Sequence, residues 1–420
     1  MNRARLAAYA LVVALAVFCS LGAARGETPK PVVIVLSWDG TRHDYPERVE
    51  TPALARMQRE GARAERLTPV FPSSTFPNHV SLATGTYADR HGIIENTFRD
   101  ASGKRFDYGN DASWIMAEPL WVAAERQHVP AAVFFWVGSE SDWHGRGATF
   151  RMKPFDPKVS ESRKVEQILA WMDLPPAERP GLIMSWWHGC DSVGHEAGPN
   201  SPAIARQLAA QDRELAKLLA GLDERGAWPY TTVIVTADHG MTEVRKIADV
   251  QSALDSAGID ARIDFAGGEA QVYLTDKARL ANALAAYARE SDLHAYASDA
   301  QPPALRGHFP GRGGDITVIV DPPAAVGRGG LRQTLASWWN WLRGGALRGA
   351  HGYDPSHPDM GAIFYALGRG VPAGTKLGEV RSIDVAPTAA ALLGIEPPAS
   401  SEGRALFSAP QTASKSEAKP

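Results

Sequence analysis

Two stretches, VVIVLSWD at 32–39 and TTVIVTADHG at 231–240, are unbroken apolar runs rich in β-branched residues that stop at an aspartate. A strand with no polar face fits only where both faces are covered, as in a parallel sheet between layers of helices. AAVFFWVG (131–138), GLIMSWW (181–187) and GAIFYALG (361–368) repeat the pattern. Helical segments separate them. Thr51-Pro52 opens one that closes near Gly61, and residues 205–226 form the clearest. This alternation predicts an α/β fold with a mostly parallel sheet flanked by helices. Residues 245–345 break the rhythm: EAQVYLT, the helix DKARLANALAAYARE and DITVIV form a small α/β unit with Gly/Pro-rich borders. GAIFYALG and the helix DVAPTAAALLG then resume the larger pattern. The expected organisation is a core first part at 27–244, an inserted cap at 245–345 and a core second part at 346–400.

The ends of the chain read differently. Arg3 and Arg5 precede LAAYALVVALAVF and the small-residue stretch CSLGAARGE, which predicts a signal peptide over 1–26, cut after Ala24 or Gly26. The apolar run is shorter than the roughly 20 residues of a membrane span, so the expectation is export without a stable membrane anchor, to a periplasmic or secreted location. Only Cys190 then remains, which leaves no internal disulfide. A net charge of −3 argues against a polymeric nucleic acid held by bulk charge. Residues 401–420 are small and polar, and disorder is expected there.

In sheets of this kind ligands collect at the carboxyl ends of strands. Asp39 ends the first strand, Asp191 and His195 follow GLIMSWW, Asp238 and His239 end TTVIVTADH, and His351 lies shortly before GAIFYALG. Each residue alone is more simply a turn former, cap or structural pair. Together they supply six donors that divide into two sets of three. Mixed carboxylate and imidazole donors suit catalytic Zn²⁺ better than the all-oxygen shells of Mg²⁺ or Ca²⁺. Thr75, in PSSTFPNHV, precedes Pro77 at a helix start and fits a plain N-cap. The same hydroxyl beside metal ions can attack phosphorus while the helix N–H groups face the phosphoryl oxygens, so both roles are expected of it.

SSTFPNHVSLATGTYADRHGIIENTF, DSVGHEAGP, TADHGM and HGYDPSHPDMGAIF resemble the nucleotide pyrophosphatase/phosphodiesterase family of the alkaline phosphatase superfamily, from about residue 31 to 395. The resemblance implies an alkaline-phosphatase-like core with two Zn²⁺ per chain. It casts Thr75 as a metal-bound nucleophile that forms a phospho-threonine, with Asn96 hydrogen-bonding a phosphoryl oxygen. It assigns Asp191, His195 and His351 to one zinc and Asp39, Asp238 and His239 to the other. Phe76 matches an aromatic that packs on a nucleobase, and Phe155 stands where a second stacking ring, usually Tyr, is found; as a bare residue Phe155 is equally a core side chain.

The expected activity is hydrolysis of small phosphodiester or nucleotide substrates at ester or anhydride bonds, releasing a nucleoside 5′-monophosphate. Trp338, Trp339 and Trp341 either pack inside the cap or shape a choline site, which keeps a lipid-headgroup phosphodiesterase in view. A phosphonate or monoester hydrolase on the same core and a secreted binding protein on an inactive fold also stay open. No C-x-P-x-R segment stands at the nucleophile, which disfavours a sulfatase.

Overall fold

The computed structural model describes residues 29–327 and 348–408. The chain divides into two units, Met1–Lys30 and Pro31–Pro420, and the architecture below is that of the second. The expected leader at 1–26, the Trp338, Trp339 and Trp341 cluster and residues 409–420 lie outside the described residues.

Strands β1 (Val32–Trp38), β2 (Ala62–Thr68), β3 (Ala131–Phe134), β4 (Phe150–Met152), β5 (Leu182–Trp187) and β6 (Thr231–Thr236) lead into a second sheet. That sheet is built from β7 (Ala261–Ala266), β8 (Glu269–Leu274), β9 (His294–Ala297) and β10 (Ile316–Ile319), after which β11 (Phe364–Gly368) and β12 (Thr375–Arg381) return. The main sheet has eight strands in the order β12-β2-β11-β6-β1-β5-β3-β4. All run the same way except β11, which is antiparallel to both β6 and β2. β1 and β6 are buried at every residue, as their continuous apolar sequences require.

The apolar-run pattern does not predict β2 and β12. ARAERLT alternates small buried residues with arginine and glutamate, because this edge of the sheet is half open: Ala62, Ala64 and Leu67 face in, while Arg66 pairs with Glu379 of β12. Helices α1 (Pro52–Glu60), α2 (Thr75–Thr84), α3 (Glu161–Met172), α4 (Asp191–Ala197) and α5 (Pro202–Glu224) come before the second sheet, α6 (Leu280–Tyr287) lies within it, and α7 (Val385–Leu393) comes after. α2 is buried from Pro77 to Thr84 and so lacks a polar face.

The second sheet is wholly antiparallel, in the order β7-β8-β10-β9. It has its own apolar cluster, which includes Ile263, Val272, Tyr287, Ile316 and Val318. Sequence reading places β8, β10 and α6 and misses β7 and β9, whose short polar runs ARIDFA and HAYA carry no continuous apolar signal. The expected tail begins too early. Residues 401–408 run along the core, with Glu402 paired to Arg306 at 2.7 Å, Arg404 N–H on Asp384 at 2.9 Å and Phe407 buried.

Lys164 on α3 is fully buried, and its ammonium has no hydrogen-bond acceptor. It sits 4.7 Å from the centre of the Trp186 ring, a cation–π contact that offsets part of its desolvation. Burial lowers it from 10.5 to about 8, opposed only in part by Glu161, which is a penalty of about 3 kcal/mol against the folded state when the lysine is charged. Between pH 8 and 10.5 the unfolded chain keeps a proton that the folded chain has lost, so this penalty shrinks as pH rises. Lys164→Met is therefore expected to raise Tm below pH 8, with its advantage fading towards pH 10.5. A difference in Tm that does not change with pH would contradict this reading.

Candidate metal and nucleophile centre

The carboxyl ends of β1, β5 and β6 lie level, since Ser37 pairs with both Trp186 and Thr236. The loops that follow carry Asp39, Asp191 and Asp238 to one place. Gly40 and Gly189 permit the approach: both have left-handed φ, and a Cβ on Gly189 would overlap the backbone of Asp39. The N–H groups of Cys190 and Asp191 then both donate to the Asp39 carbonyl, at 2.8 and 3.1 Å.

Each of two aspartates is held by one oxygen and presents the other. Asp39 Oδ2 accepts the indole N–H of Trp186 at 2.9 Å, and Asp238 Oδ1 accepts Gly40 N–H at 3.0 Å. Asp39 Oδ1, Asp191 Oδ1 and Asp238 Oδ2 are buried with no hydrogen-bond donor. The facing imidazoles are fixed just as firmly. His239 Nδ1 bonds the carbonyl of Gly240 at 2.8 Å, His195 Nδ1 that of Gly349 at 2.9 Å, and His351 Nδ1 that of Ser73 at 3.1 Å. A carbonyl only accepts, so each Nδ1 carries a proton, and the bond it makes turns Nε2 of the same ring towards the aspartates.

These Nε2 atoms face the orphaned oxygens: His239 lies 3.2 Å from Asp238 and 3.6 Å from Asp39, while His195 and His351 lie 3.3 and 3.7 Å from Asp191. Carboxylate oxygens without a donor and imidazole nitrogens thus converge, an arrangement that a cation between them satisfies. Asp39, Asp238 and His239 offer ligand atoms all within 4.8 Å of one another, as do Asp191, His239 and His351. The first group is the expected set. In the second His239 joins Asp191 and His351, while His195 Nε2 lies 3.3 Å from the same Asp191 oxygen. Oxygen and imidazole donors of this kind fit a divalent transition metal.

The electrostatics agree. Burial, then the charges of Asp238 and Asp191, push Asp39 well above the usual carboxylate range. Burial also opposes ionisation of Asp191, while a hydrogen bond from His195 and positive charge on the surrounding histidines, when they are protonated, act the other way and hold its carboxyl below that range. Burial, reinforced by His239, carries His351 well below 6.5 and keeps it a neutral ligand.

Thr75 Oγ1 stands 3.3 Å from His239 Nε2, at the junction of the two groups. The capping role expected of Thr75 is not what the structure holds. Ser74 is the extended N-cap residue and Thr75 the first residue of α2; the Ser74 hydroxyl makes no cap bond and donates to Glu95 at 3.0 Å. The turn is held instead by Asn78, whose amide donates to the carbonyls of Pro72 and Ser74, and by His79, whose Nδ1 donates to the Thr75 carbonyl at 2.8 Å. The Thr75 hydroxyl takes no part in holding this turn. Asn96 accepts the Phe76 N–H at 2.8 Å through its carbonyl oxygen, which leaves its NH₂ as the donor towards the cleft.

A cleft of about 530 Å³ opens beside the centre, lined by Asn96, Arg105, Tyr108, His195, Phe265 and His351 among others. Tyr108 is exposed and meets Phe76 edge-on with ring centres 5.2 Å apart; nothing in RFDYGND distinguishes it from a turn residue. Phe155 is also exposed and packs on Trp186 at 5.3 Å and Phe135 at 5.3 Å, so Phe76 and Phe155 stand among different neighbours. The doublet Trp186-Trp187 is visible in the sequence, but its bond to Asp39 needs the fold.

The model of the family described as "Type I phosphodiesterase / nucleotide pyrophosphatase" matches residues 33–354. An uncharacterized pyrophosphatase/phosphodiesterase of Schizosaccharomyces pombe is 38% identical over 216 residues, 50% of this chain and 44% of the relative. A bis(5′-adenosyl)-triphosphatase of Bos taurus is 28% identical over 378 residues, 87% of this chain and 79% of the relative. The structure of murine ectonucleotide pyrophosphatase/phosphodiesterase 5 superposes with a TM-score of 0.78 at 25% identity, covering 88% of this chain and 96% of that one. The same overlap holds for an inactive threonine-to-alanine variant of the murine protein in complex with AMP. The chain spans about 44% of the length of the first curated relatives it matches. The shared architecture is the alkaline-phosphatase-like fold.

Because Trp186 holds one oxygen of Asp39 and aims the other, Trp186→Phe is expected to weaken divalent-metal binding by about 10–100-fold, the usual effect of losing such an outer partner. Competition with a chelating dye measures this. Unchanged affinity would show that Asp39 needs no such support.

Proposed function

The chain belongs to the type I phosphodiesterase/nucleotide pyrophosphatase family, and we propose that it hydrolyses phosphodiester or pyrophosphate bonds of small nucleotide substrates at this centre. The product would be a nucleoside 5′-monophosphate. The observation that carries this reading is the threonine hydroxyl set 3.3 Å from the imidazole shared by two donor groups, with orphaned carboxylate oxygens on both sides. Asp39, Asp238 and His239 would hold one zinc, and Asp191, His195 and His351 the other. When bound, the two ions supply positive charge to the phosphoryl oxygens and favour the ionised hydroxyl.

The chain's own residues do the rest. Thr75 Oγ1 loses its proton to solvent and forms a bond to phosphorus as the bond from phosphorus to the leaving oxygen breaks, which gives a phospho-threonine. The leaving oxygen takes up a proton from water in the open cleft. A water molecule then forms the new P–O bond on the opposite side and gives up a proton to solvent as the P–Oγ1 bond breaks, and the threonine oxygen takes a proton back from solvent. The α2 N-terminus and the Asn96 NH₂ face the phosphoryl oxygens throughout, so their dipoles need no rearrangement as charge develops. Residues 245–345 are read as a cap, because Ile263–Gly267 of β7 and its turn form one wall of the cleft. Phe76 and Phe155 would flank a nucleobase, with Tyr108 extending the Phe76 side. The Arg-flanked apolar N-terminal segment supports export, and no helix among the described residues is long and apolar enough to cross a membrane.

Thr75 caps nothing, so Thr75→Ala is expected to leave Tm and metal content close to wild type while abolishing nearly all turnover, and Thr75→Ser to keep measurable activity. Acid quenching during turnover should trap a phosphorylated or nucleotidylated peptide containing Thr75. An active Thr75→Ala enzyme, with no adduct in the wild type, would end the proposal. For the base slot, Phe155→Ala is expected to weaken kcat/KM for nucleotide substrates by about 1–3 kcal/mol, the contribution of one stacked base, and to affect a small aryl diester far less. Equal losses on both would make Phe155 a packing residue.

A further inference from the structure

Two carboxyl groups that the metal groups do not use stand against the nucleophile turn. Glu95 precedes Asn96, and Glu269 is the first residue of β8 in the second sheet; each is 1% exposed. Both oxygens of Glu95 are engaged: Oε1 accepts Asn96 N–H at 2.7 Å and Oε2 accepts the Ser74 hydroxyl at 3.0 Å. Glu269 Oε1 accepts the amide of Gln271, while Glu269 Oε2 is buried with no donor among its neighbours. The two carboxyl groups are in hydrogen-bond contact with each other. Two carboxylates in contact and out of water cannot both stay ionised, and one proton between them removes the conflict and satisfies Oε2 as a donor. Glu95 is the partner that must accept, because its other contacts are N–H and O–H donors. Burial and then the neighbouring Glu95 accordingly push Glu269 well above the usual carboxyl range.

We propose that Glu269 is protonated in the working enzyme and donates Oε2–H to Glu95, and that this acid pair is a positioning element. Its reach explains the assignment. The residue before Thr75 and the residue that orients Phe76 N–H both hang on Glu95, so one carboxylate sets the nucleophile and the phosphoryl-facing amide relative to each other. Glu269 brings the second sheet into the same network, which ties the seating of the cleft wall to the geometry of the reacting hydroxyl. The groups acting on the pair are Ser74, Asn96, Gln271 and His239. Neither carboxyl touches the reacting atoms.

The test compares E269Q with E269A in the metal-loaded, full-length protein. Glutamine keeps an acceptor for Gln271 and a permanent donor for Glu95, whereas alanine leaves the Glu95 charge buried without one. The infrared difference spectrum of wild type minus E269Q is expected to show the carbonyl band of a protonated carboxylic acid. E269Q is expected to retain kcat within about threefold, and E269A to lose about tenfold or more in kcat with KM changed far less, the signature of a misplaced reacting group. Absence of the acid band overturns the proposal, as does an E269Q enzyme that loses as much kcat as E269A or an E269A enzyme of normal kcat. Should E269A fail to fold, the infrared band and the kcat of E269Q still decide. The kinetic arm rests on the proposed phosphodiesterase reading; the infrared arm does not, so the two can fail separately.

Discussion

A carboxylate oxygen taken out of water without a donor costs the fold about 1–3 kcal/mol or more, and here three such oxygens converge within one small volume. The charges of Asp238 and Asp191 disfavour ionised Asp39, and three imidazoles turn their Nε2 atoms towards the cluster. As a set of protein atoms alone this is an unfavourable cluster, and it persists only because the surrounding structure fixes each member from behind. The indole of Trp186, the backbone N–H of Gly40 and the carbonyls of Gly240, Gly349 and Ser73 supply that support. A divalent ion turns every one of these repulsions into a bond. The tension in the site is thus a description of what it binds.

The main sheet exists to present this cluster. Parallel strands β1, β5 and β6 end level, their apolar bodies are buried, and their polar loops are forced together at one edge. Tight backbone approach at Gly40 and Gly189 brings Asp39 and Asp191 into contact, which longer side chains there would prevent. α2 then enters from the same edge with Thr75 at its first position, its turn held by Asn78 and His79 and its flank by Glu95. Structure is assigned to the neighbours of Thr75, while its own hydroxyl lies 3.3 Å from His239 Nε2.

The buried half of the fold is legible in the sequence because burial on two faces writes an unmistakable pattern: VVIVLSWD and TTVIVTADH can be little else. The candidate metal donors are legible because they sit where those strands stop, and the ordered Asp, Thr, Asp-x-x-x-His, Asp-His, His series resembles a known family. Half-exposed elements are not. β2 reads as ARAERLT, and its pairing with β11 and β12 depends on residues about 300 positions away. Thr75 reads as a cap because Ser74 and Thr75 are both good capping residues, and only the folded backbone, extended at Ser74 and helical from Thr75, decides between them. Tyr108 and Glu269 lack any local signal, since one is a turn residue and the other opens an ordinary strand. Both gain meaning from long-range contacts alone. Residues 401–408 read as tail, yet Arg306 and Asp384, distant in sequence, hold them on the core.

We take the crowding of carboxylates and imidazoles around Thr75 to be a pair of zinc sites. Anomalous diffraction measured on either side of the zinc absorption edge, from crystals of protein purified without added chelator, tests this most directly. Two peaks are expected, one among Asp39, Asp238 and His239 and one among Asp191, His195 and His351, with Thr75 Oγ1 between them. A map with no peak at either group after zinc is supplied, or with zinc bound only elsewhere on the chain, would contradict it.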